Sequence, residues 1–287
     1  MTAGHIAGFY HALWMYRDAN GYPAGTEADL AAASNGTTTH ARKLPGPVEA
    51  TAMQVTREQA TFRGGQRVLG RRQLGVNDIS PFDLTLAAYD PVWNAMIAAN
   101  AVDTAIASQN VVSAPNLGNG DPPQGMLLLT VGFTTEDAVN KFLTYAYHNV
   151  QISQANMGAA NQQGGENPNP LQYTVTPLPA ERTFFGLPFV GTDLAVVEDN
   201  DYYVVYETAK PISVTTYKAA NAATSFTLGY RPVSSDHAGA RNVFTKNGAQ
   251  GHTDVTGVNT TTGAVTINAA TAGDIWVAVF ETLFQAI

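Results

Sequence analysis

Five arginines stand close together in one segment and are the residues of this chain best suited to bind a charged partner. Residues 57–75 read REQATFRGGQRVLGRRQLG and contain Arg57, Arg63, Arg67, Arg71 and Arg72, five of the fifteen basic residues of the chain. The planar guanidinium of arginine donates several hydrogen bonds and binds phosphate or carboxylate groups. The segment is therefore a candidate for contact either with nucleic acid or with an acidic protein surface.

The overall charge of the chain disfavours nucleic acid. Its 287 residues include 15 Lys and Arg against 23 Asp and Glu, a formal net charge of -8, and a negative field repels a phosphate backbone. Charged residues make up only 13% of the chain, against roughly 25% in an average soluble domain. So low a fraction of charged residues is typical of a surface that assembles with copies of itself, or of the neutral polar surface of a secreted protein.

Other groups that carry chemistry do not stand at spacings that form a site. The acidic residues at 198–201 lack the glycine and the final acid of a calcium-binding loop, and residues 118–123 lack the third glycine of a dinucleotide-binding loop. The chain has no cysteine, which excludes thiolate chemistry. We predict no catalytic residue, no cofactor and no metal site. No two histidines have the spacing of a local metal pair; they are His5, His11, His40, His148, His237 and His252.

The arginine segment itself has the pattern of a β-hairpin. Gly64-Gly65 suits a two-residue turn, which would place Glu58 opposite Arg71 and Arg57 opposite Arg72 and divide the arginines between both faces. A ribbon with two polar faces has no core side, and an isolated hairpin is marginal in water. We therefore expect an arm that docks on another copy of the chain. A solvated hairpin and a nucleic-acid contact are the alternatives.

The rest of the chain predicts a mainly β fold. Residues 82–88 alternate apolar and polar side chains, as a half-buried strand does. Several short runs rich in β-branched and aromatic residues lie between turn-forming clusters, which favours a sandwich or barrel. These runs are 127–133, 171–176, 194–198, 202–208, 225–230, 263–268 and 274–281.

Helical patterns are few. Asp90 can cap a helix whose first turn holds Pro91, and the apolar spacing predicts a helix over 91–108. A shorter helix is expected at 26–34, whereas 134–153 suits either a helix start or a strand. The polar residues 153–170 are expected to form a long loop.

The composition shifts near 209–222, beyond which large aromatic residues are few. We expect a sandwich domain at 1–215, with the projecting hairpin near 53–75, and a small β module or sandwich extension at 216–287.

The order of these segments resembles the major tail tube proteins of long-tailed bacteriophages. The resemblance covers roughly residues 5–215. It rests on GFYHALWMYRDANGYPAGT, on LPGPVEATAMQVTREQATFRGGQRVLGRRQLG as strand, arm and return strand, and on FDLTLAAYDPVWNAMIAAN as strand into helix. It continues through VQISQANMG, a polar loop, and NPNPLQYTVTPLPAERTFFGLPF.

The resemblance implies a β-sandwich flanked by an α-helix, with a small C-terminal β module in addition. It further implies that copies close into rings, usually hexameric, that stack into a tube through which DNA passes during ejection without specific binding. Sheets of neighbouring copies would join around the lumen, and residues 53–75 would bridge successive rings. The expected partners are this chain itself and other tail proteins, and the expected location is the virion tail, assembled in the host cytoplasm.

Three further interpretations of the sequence remain open. A capsid decoration protein or another virion β protein would bind a lattice without forming tubes. A glycan-binding module would need aromatic side chains facing solvent, but Trp14, Trp93 and Trp276 each lie in an apolar pattern that predicts burial. A hydrolase is the third. The N-terminus lacks a signal-peptide pattern and no run of residues suits a membrane helix, so no membrane contact is expected.

Overall fold

The protein is described from a computed structural model. The described residues are 4–25, 33–51, 55–64, 67–88, 90–97, 102–103, 111–112, 123–136, 139–156, 171–179, 202–238 and 241–287. The predicted helix at 26–34, the predicted strand at 194–198 and most of the predicted loop at 153–170 lie outside them, as do the acidic residues at 198–201.

The described residues fold into short and long strands and one α-helix, named here in chain order. The first part of the chain holds β1 (Gly4–Arg17), β2 (Pro23–Gly25), β3 (Thr38–His40), β4 (Arg42–Lys43), β5 (Pro47–Ala50), β6 (Val55–Gly64), β7 (Arg67–Ile79), β8 (Phe82–Leu86), α1 (Pro91–Ile97), β9 (Val102–Asp103) and β10 (Val111–Val112). The second part holds β11 (Gly125–Thr135), β12 (Asn140–Asn156), β13 (Leu171–Pro177), β14 (Tyr203–Thr208), β15 (Ile212–Lys218), β16 (Ser225–Thr227), β17 (Asn242–Lys246), β18 (Ala249–Gln250), a 3-10 turn (His252–Asp254), β19 (Val255–Val258), β20 (Ala264–Ile267) and β21 (Ile275–Glu281).

A nine-stranded antiparallel sheet forms the centre of the molecule. Its strand order is β2-β1-β11-β12-β13-β8-β5, with β14 paired to β12 and β4 paired to β1. The terminal strand β5 lies against β1, so the sheet curls around a core of its own. Trp14, Trp93 and Tyr173 are fully buried there. In β8 burial alternates strictly along the strand, as the sequence pattern predicts.

The helix α1 closes this core. The carboxylate of Asp90 accepts hydrogen bonds from the backbone N–H groups of Val92 (3.0 Å) and Trp93 (3.2 Å), which confirms the predicted cap. The same carboxylate forms an ion pair with Arg42 of β4 at 2.7 Å. The predicted extent of the helix is wrong, because α1 ends at Ile97 and Val102–Asp103 is a strand. Val102 is β-branched, which favours a strand, and it pairs with Val112 of β10.

A five-stranded sheet of order β18-β17-β21-β15-β3 packs on the central sheet. The core between them joins Leu13 and Met15 of β1 with Val214 of β15 and Val279 of β21. The other face of this second sheet is covered by the three-stranded sheet β16-β20-β19, over a core that contains Trp276. Since β15 and β21 are covered on both faces, they are buried almost without alternation.

The arrangement bears on several expectations from the sequence. The mainly β fold with antiparallel sheets is confirmed, and the ambiguous segment 134–153 forms the end of β11 and most of the long strand β12. The three tryptophans are buried as predicted. The boundary expected between residues 215 and 216 falls inside β15, whose sheet also includes β3 from the N-terminal part of the chain. No helix within the described ranges is long and apolar enough to cross a membrane.

Gly125 supplies a test of the central core. A Cβ atom at this position would lie 1.9 Å from Cη2 of the buried Trp14 ring, so Gly125→Ala forces the ring or the strand to move. We expect the free energy of unfolding, measured by urea denaturation, to fall by about 1–3 kcal/mol. Gly257→Ala is the matched control, because a Cβ atom at that position would have no other atom within 4 Å. Equal stability of the two variants would contradict this account of the packing.

Candidate functional site

The predicted arginine hairpin is present, but its register differs from the one expected. β6 and β7 pair antiparallel, with Arg63 opposite Val68 and Gly64 opposite Arg67. The strands are therefore joined by residues 65 and 66, not by Gly64-Gly65.

Irregularities in the ladder shift the remaining pairs further. Arg71 lies opposite Thr61 and Arg72 opposite Ala60, so the expected pairs of Arg71 with Glu58 and of Arg72 with Arg57 are wrong. Register shifts occur near Arg57 and again between Phe62 and Arg63. Each such bulge inserts an unpaired residue and offsets all the pairs beyond it. The predicted pairs are wrong, but Arg71 and Arg72 are consecutive residues in a part of the ladder without a register shift. Consecutive residues of a strand face opposite sides, so the arginines still divide between both faces.

The hairpin forms a sheet of its own. β6 and β7 hydrogen-bond to each other and to no other described strand, and they are inserted in the chain between β5 and β8 of the central sheet. At about 3.3 Å per residue, the ten residues of β6 span roughly 33 Å. Four of the arginines, Arg63, Arg67, Arg71 and Arg72, lie in the half of the hairpin near the turn.

A second feature is a run of four antiparallel strands with open outer edges. β1 pairs with β11, β11 with β12, and residues 142–147 of β12 with β14. The outer edge of β1 is paired with β2 and β4 from Leu13 onward. The Ala12 carbonyl accepts a hydrogen bond from the Leu44 N–H (2.9 Å), and β5 lies against β1 without pairing with it. Within the described chain, no strand pairs with the outer edge of β1 before Leu13 or with the outer edge of β14. Unpaired N–H and C=O groups on such edges are templates for pairing with another strand.

Apolar side chains accompany the open edge of β1. Ile6 is 60% exposed and Tyr10 is 47% exposed, and Val139 in the turn between β11 and β12 is 51% exposed. The ring of Tyr10 contacts Phe142 of β12, with 5.0 Å between the ring centroids. Exposed apolar groups beside an unpaired edge are typical of a surface that is covered in an assembly.

A buried polar row crosses the same four strands. His11, Thr130, Thr144 and Tyr206 stand opposite one another from β1 to β14, and all four are buried. The hydroxyl groups of Thr130 and Thr144 are hydrogen-bonded at 2.9 Å. The ring of Phe284 packs edge-on against His11 at 4.4 Å between centroids. The row therefore lies inside the packed protein and not on its outer surface.

Two histidines of this sheet are held neutral by their surroundings. Burial lowers the pKa of His11 to about 3, with the nearby Lys43 acting in the same direction and the Ile212 carbonyl partly opposing the shift. Burial also lowers the pKa of His148 to about 4, with the charge of Arg17 acting in the same direction. Both imidazoles must gain a charge when the protein is acidified, which favours the unfolded chain.

The described residues do not assemble an evident reaction centre. Within them, no three His, Asp or Glu side chains are grouped to hold a metal ion. A cavity of about 430 Å³ is lined by residues 38–43 and Tyr230. On its wall, His40 is hydrogen-bonded to the hydroxyl of Thr215 at 3.1 Å, but Thr215 is fully buried and out of reach of a substrate. Arg42, also on the wall, is already paired with Asp90.

No family model matches this chain, and no curated protein is significantly similar to it.

Sequence reasoning found the hairpin but missed the open edge of β1. Residues 12–16 of this strand are buried on both faces, so the segment lacks the alternation by which a strand is recognised. The edge strand β14 lies within the predicted run 202–208. That its outer edge is open follows only from the sheet order, which a single sequence does not reveal.

The buried histidines predict a specific dependence of stability on pH. Both have folded-state pKa values below the ordinary value of 6.5, so their stabilising effect is complete above pH 6.5 and is lost as the pH falls from there towards 4. Each contributes a slope of up to about 1.4 kcal/mol per pH unit. Urea denaturation between pH 7.5 and 4.5 should show a shallower slope in His11→Gln and in His148→Gln. A slope as steep as that of the wild type in both variants would rule out this effect.

Proposed function

We propose that this protein is a structural subunit that assembles into stacked rings forming the tail tube of a long-tailed bacteriophage. The observation that carries the proposal is the run β1-β11-β12-β14, whose two outer edges have no partner among the described strands. An open antiparallel edge on each side lets β14 of one copy pair with β1 of the next. Repetition of one such contact with a rotation closes a ring.

The hairpin supports the second step, the stacking of rings. Its two strands belong to no larger sheet of the described chain, and an unsupported two-strand ribbon is marginally stable in water. Contact with a copy in the next ring would stabilise it. The arginines at positions 57, 63, 67, 71 and 72 make this contact electrostatic, so tube formation should weaken as salt is raised.

The overall charge suits passage of DNA. A net charge of -8 leaves a tube of many copies strongly negative, and like charge prevents the lasting phosphate contacts that arginine- and lysine-rich surfaces make. Two further basic residues of the described chain, Lys141 and Lys246, are paired with carboxylates, which reduces their attraction for a duplex. The tube is thus proposed as a passive conduit.

Negative-stain microscopy of the purified protein at high concentration tests the proposal. We expect hollow filaments of uniform width. Replacing Arg63, Arg67 and Arg71 together by Glu should leave a folded protein, judged by circular dichroism, that forms no filaments. Normal tubes from this triple variant would refute the bridging role of the hairpin. Wild-type protein that binds capsids but forms no filament under any condition would instead favour a decoration protein.

The open edge of β1 gives an independent prediction. Ile6→Lys places a charge on an exposed edge position, and lysine on an edge strand blocks pairing with another sheet. We expect the variant to remain folded and monomeric in sedimentation velocity under conditions in which the wild type forms rings. Leu283→Lys is the matched control, because Leu283 is also exposed but lies outside the strands. Rings formed equally well by Ile6→Lys would exclude pairing through this edge.

A further inference from the structure

Four of the hairpin's five arginines lie at one end. Arg63 and Arg67 occupy the last two residue pairs before the turn, and Arg71 and Arg72 follow on β7 within the same half. At the opposite end, where the hairpin joins the central sheet, the single arginine Arg57 is accompanied by Asp78, which lies opposite Thr56. A partner for the turn end should therefore be acidic. It should not be the base of the same hairpin, which lies too far from the turn end to contact it.

A polar face without any basic residue lies at the base of the hairpin. β5 precedes the hairpin and β8 follows it, and β13 pairs with β8. Phe82, Leu84 and Leu86 of β8 are buried, so Asp83 and Thr85 face away from the core. Across the strands, Thr85 lies opposite Glu49 on one side and Gln172 on the other. None of the three strands contains Lys or Arg. We call this surface the β5-β8-β13 face.

Among the described residues, neither carboxylate of this face forms an ion pair. Glu49 is exposed, and Asp83 accepts hydrogen bonds from two neutral groups, the Gln172 amide (3.0 Å) and the Thr174 hydroxyl (3.1 Å). Five other carboxylates of the described chain are paired with a basic side chain. Those pairs are Asp90 with Arg42, Glu207 with Lys141, Asp254 and Asp274 with Lys246, and Glu281 with Arg241.

The length of the hairpin prevents its arginine end from contacting the β5-β8-β13 face of the same copy. The turn end lies about ten residues from the base, roughly 33 Å in extended strands, whereas the β5-β8-β13 face adjoins the base. A second copy displaced along the hairpin brings its own face to the turn end. Such a contact joins two different surfaces and repeats without limit along one axis.

We propose that the arginine end of the hairpin of one copy docks on the β5-β8-β13 face of the copy in the next ring, with Glu49 and Asp83 as its counter-charges. This inference rests on the proposed tube function, because it assumes that copies stack along the hairpin. It adds the acceptor surface, which the proposed function leaves undefined. Complementary charge at the two surfaces would also fix the polarity of stacking, since a hairpin end repels another hairpin end.

A pair of charge-reversed variants tests the proposal. The first variant carries Glu49→Arg with Asp83→Asn; the amide oxygen of asparagine can still accept from Gln172, and its N–H group can donate to the Thr174 hydroxyl. The second carries Arg63→Glu with Arg67→Glu. Each variant alone opposes like charges at every stacking contact, so we expect the concentration required for tubes, measured by pelleting and microscopy, to rise at least about tenfold. Mixed in equal amounts, the two variants present opposite charges and should form tubes again. Circular dichroism and thermal melting verify that each variant is folded.

Glu136→Arg is the matched control, because Glu136 is an exposed acid outside the face; it should assemble like the wild type. Wild-type protein that forms no tubes would contradict the proposed function itself. Wild-type tubes with undiminished assembly of the first variant would overturn only the docking surface. Loss of assembly in both variants without recovery on mixing would also overturn it, because damage unrelated to charge complementarity is not repaired by a partner of opposite charge.

Discussion

The long strand β12 is the constraint on which the rest of the structure depends, because it pairs with three strands. One edge of β12 is occupied by β11, while the other is divided between β14, at residues 142–147, and β13, at residues 150–156. The sheet therefore branches. One branch runs through β13 and β8 to β5 and curls around the core that α1 closes; the other ends after a single strand, at the outer edge of β14.

This branching determines where the surfaces available for assembly lie. The curled branch brings β5 and β8 together at the base of the hairpin, so the ribbon leaves the body where the polar β5-β8-β13 face begins. The other branch leaves a four-stranded run that the second sheet covers from one side, through residues such as Leu128 and Val214. Both candidate surfaces thus follow from how the edge of one strand is shared, although they are far apart in the sequence.

The sequence predicts those parts of the fold in which a local pattern reflects one-sided burial. β8 and β13 alternate and are recognisable for that reason, and Asp90 is recognisable as a cap because its role is local. β1 is not predicted from the sequence because its two faces are buried in two different cores. Trp14 lies in one core and Leu13 in the other. The hairpin's existence is evident from its glycines, but its register is not, since bulges depend on contacts that no short pattern encodes. For the same reason the sequence identifies the arginines but not the surface proposed to receive them.

Bulges in β1 restrict which strands can pair with its open edge. The ladder between β1 and β11 is irregular at Ile6–Gly8 and again at Phe9–His11, within the half of β1 whose other edge is open. Gly8 has φ +123°, a conformation that other residues rarely adopt. Bulges twist an edge and make it a poor template for an arbitrary strand. A strand that follows the same irregular path would still pair with it. In the proposed ring, the bulged edge would therefore favour one repeated partner, another copy of this chain, over indiscriminate aggregation.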